Sequence, residues 1–189
     1  MEIMRLKETD FYADENTGWS ITEAGALMEC GAGKGARVFL DGAVVERIEW
    51  GKYGYLSVDV KSGQDWSLVF RFEIWEKGNA GEEPDLTVRF SMIPQEEVRL
   101  ALPFLAMDAQ HIFLDRTPGK LRSFVTGRAV RPENIGRIAI GLRKGWEKQQ
   151  LQVRNVVLQT QEPEYPLCGR KLVDRLGQKK RTDWPGKCA

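Results

Sequence analysis

From Trp19 to Thr160 the chain consists of short runs in which apolar and polar residues alternate, each closed by glycine, proline or a charged turn. Successive side chains of a strand point to opposite faces, so a strand buried on one side writes a period of two into its sequence. An amphipathic helix would repeat its apolar residues about every three to four positions. That spacing is hard to find here. The clearest run is 65–76, in which Trp66, Leu68, Phe70, Phe72 and Ile74 share one face and Ser67, Val69, Arg71, Glu73 and Trp75 the other.

The same grammar recurs along the chain. In 55–61, Leu56, Val58 and Val60 oppose Tyr55, Ser57 and Asp59; in 86–93, Leu86, Val88, Phe90 and Met92 oppose Thr87, Arg89 and Ser91. Further strands are expected over 20–30, 36–41, 44–50, 97–105, 120–130, 137–143 and 150–160, the first holding Cys30 as a buried thiol. Strands with one apolar and one mixed face pack as two sheets through their apolar sides. The expectation is therefore all-β: a two-sheet antiparallel sandwich of jelly-roll type over residues 1–162, followed by an irregular arm over 163–189.

Composition removes several function classes. With 28 basic and 27 acidic residues the formal net charge is +1, so no global field draws the chain to nucleic acid or to an anionic membrane. No apolar run approaches the roughly 20 residues that span a bilayer, and residues 1–10 lack the unbroken apolar stretch of a signal peptide. Cys30, Cys168 and Cys188 are odd in number and lack CxxC spacing, which indicates neither a disulfide framework nor a zinc site. The glycine-rich loop 31–35 lacks the Gly-Lys-Ser/Thr ending of a phosphate cradle. The single histidine, His111, has no nucleophile or ligand partner nearby and reads as structural.

Sugar-binding modules stack aromatic rings on pyranose faces and hold the hydroxyls with planar polar groups. Trp66 falls on an apolar face and is expected in the core, whereas Trp75 shares its face with Arg71 and Glu73 and is the candidate platform. Trp50, Tyr53 and Tyr55 cluster around the turn at 51–54 and offer a rim contact. Trp146 lies in the loop 144–148. If the mixed faces lie side by side in one sheet, Trp75, Arg71, Glu73, Tyr55, Asp59 and Arg89 form one carbohydrate-binding surface. Two other readings of that surface stand beside it: a solvated face laced by ion pairs, and a docking face for another domain. Catalysis finds little support, because glycosidase chemistry needs two facing carboxylates and Asp59 and Glu73 have arginine neighbours. A jelly-roll lyase would set a base beside arginines, and Tyr55 with Arg71 and Arg89 faintly matches that arrangement.

The last residues carry a more specific signal. Leu172, Val173, Asp174, Gly177 and Gln178, then Asp183, Trp184, Pro185, Gly186 and Lys187, resemble the segment by which the amino-terminal β-sandwich of β-agarase-like, family-50 type glycoside hydrolases passes into the catalytic barrel. Residues 136–142 with 151–158 resemble the final hairpin of galactose-binding-like jelly rolls, with Asn155 where those folds usually carry an aspartate that helps hold calcium. The resemblance implies a non-catalytic, carbohydrate-binding module-like domain that binds or positions a galactan-like polysaccharide, with a catalytic barrel as a possible partner. It implies no cofactor and no metal, and no catalytic residue is carried over.

Overall fold

Strands form where β-branched and aromatic residues sit on a half-buried pleat, and here they do so almost wherever the alternation placed them. The structure, a computed structural model, describes residues 2–107 and 120–165, without the side chains of 120–122. The predicted arm from 166 onward, its Asp-Trp-Pro-Gly turn and His111 lie outside the described residues. In chain order the strands are β1 (Ile3–Leu6), β2 (Phe11–Ala13), β3 (Thr17–Thr22), β4 (Gly25–Cys30), β5 (Ala36–Leu40), β6 (Tyr55–Ser62), β7 (Val69–Glu76), β8 (Leu86–Met92), β9 (Glu97–Pro103), β10 (Lys120–Gly127), β11 (Ile135–Leu142) and β12 (Gln149–Gln159).

These strands pair, antiparallel throughout, into two sheets. The first runs β3-β4-β12-β6-β9, with β1 pairing the second half of β12 beyond β4. The second runs β10-β8-β7-β11-β5-β2. Neighbouring strands in each sheet are mostly distant in sequence, the crossed connectivity of a jelly-roll sandwich. The apolar faces meet as expected: Leu56, Val58 and Val60 from the first sheet, and Phe70, Phe72, Ile74, Leu86, Val88 and Phe90 from the second, join one core cluster. Phe72 sits at its centre, edge-on to both Phe70 and Phe90 at 5.2 and 5.9 Å between ring centroids. Cys30 is buried, and burial pushes its thiol pKa up.

Three expectations are corrected. Residues 44–50 are not a strand: Gly42–Arg47 form α1, and a single 3-10 turn follows at Trp50–Lys52. The Asp41 carboxylate caps α1 by accepting from the Ala43 backbone N–H at 2.9 Å. Val44, Val45 and Ile48 then fall on one buried side, a helical spacing hidden within a β-branched run. Residues 20–30 are a hairpin rather than one strand, because Gly25, at φ 112°, turns the chain between β3 and β4. Trp66 is not core. β7 begins only at Val69, which leaves Trp66 in the preceding loop, 39% exposed.

The central position of Phe72 generates a stability test. Phe72→Ala is expected to lower the unfolding free energy by about 3–5 kcal/mol, the cost of a buried phenylalanine cavity, read as a lower urea midpoint with an unchanged slope. A loss under about 1 kcal/mol would place the ring outside the packed core.

Candidate functional site

The six residues expected to converge do not. Arg71, Glu73 and Trp75 of β7 and Arg89 of β8 share the outward face of the second sheet, while Tyr55 and Asp59 of β6 lie on the outward face of the first. The whole sandwich separates the two groups. This also dismantles the lyase arrangement, since Tyr55 cannot work beside Arg71 and Arg89. Asp59 and Glu73 likewise cannot act as a facing carboxylate pair.

Asp59 is nearly inaccessible and fully engaged: it accepts from Arg99 Nε at 2.6 Å and Nη2 at 2.8 Å, and from Asn155 Nδ2 at 2.9 Å. Asn155 stands at a bulge in β12 with φ 49°, a left-handed conformation that asparagine tolerates. Its amide is a donor to a carboxylate, a role an ionised aspartate could not fill. Among the described residues no group of three or more His, Cys, Asp or Glu is placed to hold a metal ion.

On the second sheet, register aligns the outward residues in rows across the strands. One row reads Phe124 (β10), Arg89 (β8), Arg71 (β7), Gly141 (β11) and Arg37 (β5). The next reads Thr126, Thr87, Glu73, Ala139, Phe39 and Tyr12, reaching the edge strand β2. Glu73 is buried between the rows, accepting from Arg37 Nε at 2.6 Å and Nη2 at 3.2 Å, with Arg71 Nη1 at 3.2 Å. Burial above all, then the charges of Arg37 and Arg89, hold the Arg71 guanidinium below its ordinary pKa against the pull of Glu73.

Trp75 keeps its predicted face but is no platform, being 0% exposed. The Arg137 guanidinium lies 4.2 Å from its ring centroid and that of Arg37 5.5 Å, and Phe39 packs tilted at 5.7 Å. Arg137 in turn donates to the Gly81 carbonyl of the β7–β8 loop. Arginine stems thus roof the tryptophan, and alternation alone cannot reveal a roof made by other strands. The aromatics left exposed on this face stand at its two edges. Tyr12, 50% exposed, stacks on Phe39 at 5.5 Å; Phe124 on β10 is 40% exposed. Five strand spacings, about 24 Å, separate those edges. Sequence reasoning missed Tyr12, Phe39, Arg37 and Phe124, because only pairing order brings β2, β5 and β10 into β7's sheet.

Two exposed tryptophans border the end of the sandwich nearest the arginine row. Trp146, in the β11–β12 loop, is 99% exposed, and Trp66 lies in the β6–β7 loop. The β11–β12 and β4–β5 loops are tied together by Gly33 N–H donating to the Gly145 carbonyl at 2.8 Å. A cavity of about 580 Å³ lies at the opposite end, against Trp50, Glu46, Glu49, Lys52 and Glu133. Lys52 pairs with Glu49 there at 2.6 Å, and Lys77 donates to the Glu133 carbonyl. Trp50 does not form the expected rim. It is buried, donating to the Val45 carbonyl at 3.1 Å, and Tyr53 packs partly against the core.

No family model and no curated protein matches the chain. Solved structures do. An agarase, AgWH50C, superposes with a TM-score of 0.63 at 10% identity, over 86% of this chain and 25% of that one. PfGH50B does so with a TM-score of 0.60 at 11% identity, over 85% and 24%. The family 11 carbohydrate-binding module of the cellulosomal cellulase Lic26A-Cel5E of Clostridium thermocellum gives 0.51 at 16% identity, over 87% of this chain and 98% of the module. The chain spans about a quarter of the length of AgWH50C and of PfGH50B and nearly all of the module. Likeness at these identities establishes the fold: a jelly-roll sandwich shared with that module and with a small part of the longer chains.

Two predictions follow from the covered face. Trp75→Ala is expected to destabilise the domain by about 3–5 kcal/mol, because the ring is fully covered; an unchanged thermal midpoint would contradict its burial. The β7–β8 loop hangs on Asp85, which accepts from Glu76 N–H, the Asn79 amide and Arg128, each at 2.8 Å. Burial alone would raise the Asp85 pKa, but the Asn79 amide, the Glu76 N–H and Arg128 together outweigh it and leave the carboxyl below its ordinary value. The stability this gives is complete above the unfolded value of about 3.9 and is lost as pH falls through the folded one. Asp85→Asn should therefore be less stable than the parent at pH 7, with the gap narrowing at pH 3, in paired urea titrations. A gap that widens in acid would overturn the assignment.

Proposed function

We propose that this chain is a non-catalytic carbohydrate-binding domain whose outward second-sheet face binds a galactan-like polysaccharide and positions it for an associated glycoside hydrolase. The observation that carries the reading is the composition of that face: exposed rings at both edges and a floor of arginines around one buried carboxylate. Rings of this kind stack on pyranose C–H surfaces, and guanidinium groups hydrogen-bond vicinal hydroxyls. The fold supports it too, since one structure of the matching module is a complex with a β-1,3-1,4-mixed-linked tetrasaccharide. Arg71 and Arg89 keep the binding role expected of them, with Glu73 orienting Arg37 and Arg71. Tyr12 and Phe124 take over the stacking assigned to Trp75. Tyr55 and Asp59 belong to the other face and have no part in the site.

A second reading has its own observation. The matching region is a quarter of each agarase-type chain, so the domain is also suited to packing on a catalytic barrel without holding sugar. Trp146, nearly free of protein contact, is the side chain such an interface would cover.

Isothermal titration with agarose- and galactan-derived oligosaccharides separates the two. Binding is expected, and Tyr12→Ala and Phe124→Ala should each weaken it about three- to tenfold, the worth of one aromatic contact, while the domain stays folded with only a small drop in thermal midpoint. Loss of binding in Tyr55→Ala but not in these variants would transfer the site to the first sheet. Silence across a broad glycan panel would favour docking.

A further inference from the structure

The second-sheet face carries more positive charge than its neighbours match. The chain as a whole is close to neutral, and on the first-sheet face most charges are paired, Arg99 with Asp59, Arg154 with Glu97 and Lys148 with Glu29, while Arg5 and Lys61 stand apart as single exposed cations. On the second sheet Arg37, Arg71, Arg89 and Arg137 surround Glu73, which is already shared between Arg37 and Arg71. Arg89 stands directly across from Arg71 in the β7–β8 register, a like-charge cross-strand pair that costs stability.

Among the described residues Arg89 forms no ion pair, and neither do Lys34, Arg143 and Lys144 on the rim loops beside it. Asp14, held by Asn16 N–H and the Thr17 hydroxyl, and Glu83 add negative charge at the Arg37 end of the row, so the unmatched positive charge lies toward Arg71 and Arg89. Three buried donors of this same face have no acceptor among the described residues: Arg71 Nε, Arg137 Nε and Trp75 Nε1. Buried donors are almost always paired, and each one left open costs about 1–3 kcal/mol. These donors are covered by protein, so what the surface itself offers a ligand is its unmatched cations, and those call for an oxygen-rich anion.

We infer that the arginine row Arg37-Arg71-Arg89 recognises an oxyanion carried by the glycan, a sulfate ester or a uronate carboxylate, so that the preferred ligand is an acidic rather than a neutral polysaccharide. The inference rests on the sugar-binding reading above and sharpens it. Gly141 sits between Arg71 and Arg37 in the row; the Ala36 carbonyl oxygen takes the space a Cβ would need, at 2.2 Å, so no side chain stands between the two arginines. An anion reaching the row meets guanidinium groups whose planar forks match sulfate and carboxylate oxygens. Sugar units on either side of it run toward Phe124 and Tyr12. Arg89, with no ion-pair partner among the described residues, is the group freest to turn toward the charge.

The test titrates the whole chain with galactan oligosaccharides of one length in three forms: neutral, sulfate-esterified, and a uronate-bearing counterpart. At low salt at least one acidic form should bind about tenfold or more tighter than the neutral form, the range of a single charge-assisted hydrogen bond. The preference should shrink as sodium chloride rises, because salt screens exposed charge. Comparing the two acidic forms identifies which oxyanion is read. Arg89→Gln should remove most of the preference while keeping or raising the thermal midpoint, since it relieves the like-charge pair with Arg71, and Lys61→Gln, the same charge change on the first-sheet face, should leave the preference intact. Equal affinity for neutral and acidic forms, or an equal effect of Lys61→Gln, overturns the anion inference and leaves a neutral-sugar site standing. No binding of any form removes the sugar reading itself.

Discussion

Everything on the second sheet's outer face is arranged around the burial of Glu73. A carboxylate withdrawn from water must be compensated by paired charge and hydrogen bonds, and here Arg71 supplies one partner from the same strand. The other, Arg37, reaches it from β5, two strands away, across β11. That span is open because β11 presents only Ala139 and Gly141 outward at the crossing. A larger residue at either position would block the bridge. The same guanidinium then leans over Trp75 and Phe39, so one ion pair fixes the arginines and closes part of the roof above the tryptophan.

The two outer faces share this device and differ in what is left over. On the first sheet Asp59 is saturated by Arg99 and Asn155, and Arg154 and Lys148 find Glu97 and Glu29. The cations left over there, Arg5 and Lys61, are single and exposed. On the second sheet the pairing of Glu73 leaves Arg89 facing Arg71 with no ion-pair partner among the described residues, and three buried donors there without an acceptor among them. Exposed rings bracket that surface and not its opposite. Asymmetry between two faces of similar build is the physical reason for seeking a ligand on one of them, since burial and strand geometry alone would treat them alike.

Much of the fold could be read from local pattern, and the errors share a cause. The inward sets of β6, β7, β8, β9 and β11 were legible because a period of two reports which side of a strand meets the core. α1 was misread because Val44, Val45 and Ile48 look strand-like until Asp41 caps the helix before them. Trp66 and Trp75 exchanged roles: the first fell beyond the strand's start and stayed in solvent, and the second was covered from its neighbours. Alternation says which face a residue is on; it is silent about what stands above that face.

The sequence by itself determined that this chain is an all-β sandwich, that β7 sets Arg71, Glu73 and Trp75 against Phe70, Phe72 and Ile74, and that no global charge recruits a polyanionic partner. Each follows from local periodicity or from composition. Only the tertiary structure decided which mixed faces share a sheet. Pairing order depends on contacts between segments far apart in the chain, so it alone could separate Tyr55 and Asp59 from Arg71 and Arg89, and bring Arg37, Phe39 and Tyr12 beside them. A site built across six strands is a property of that order, and no single stretch of sequence contains it.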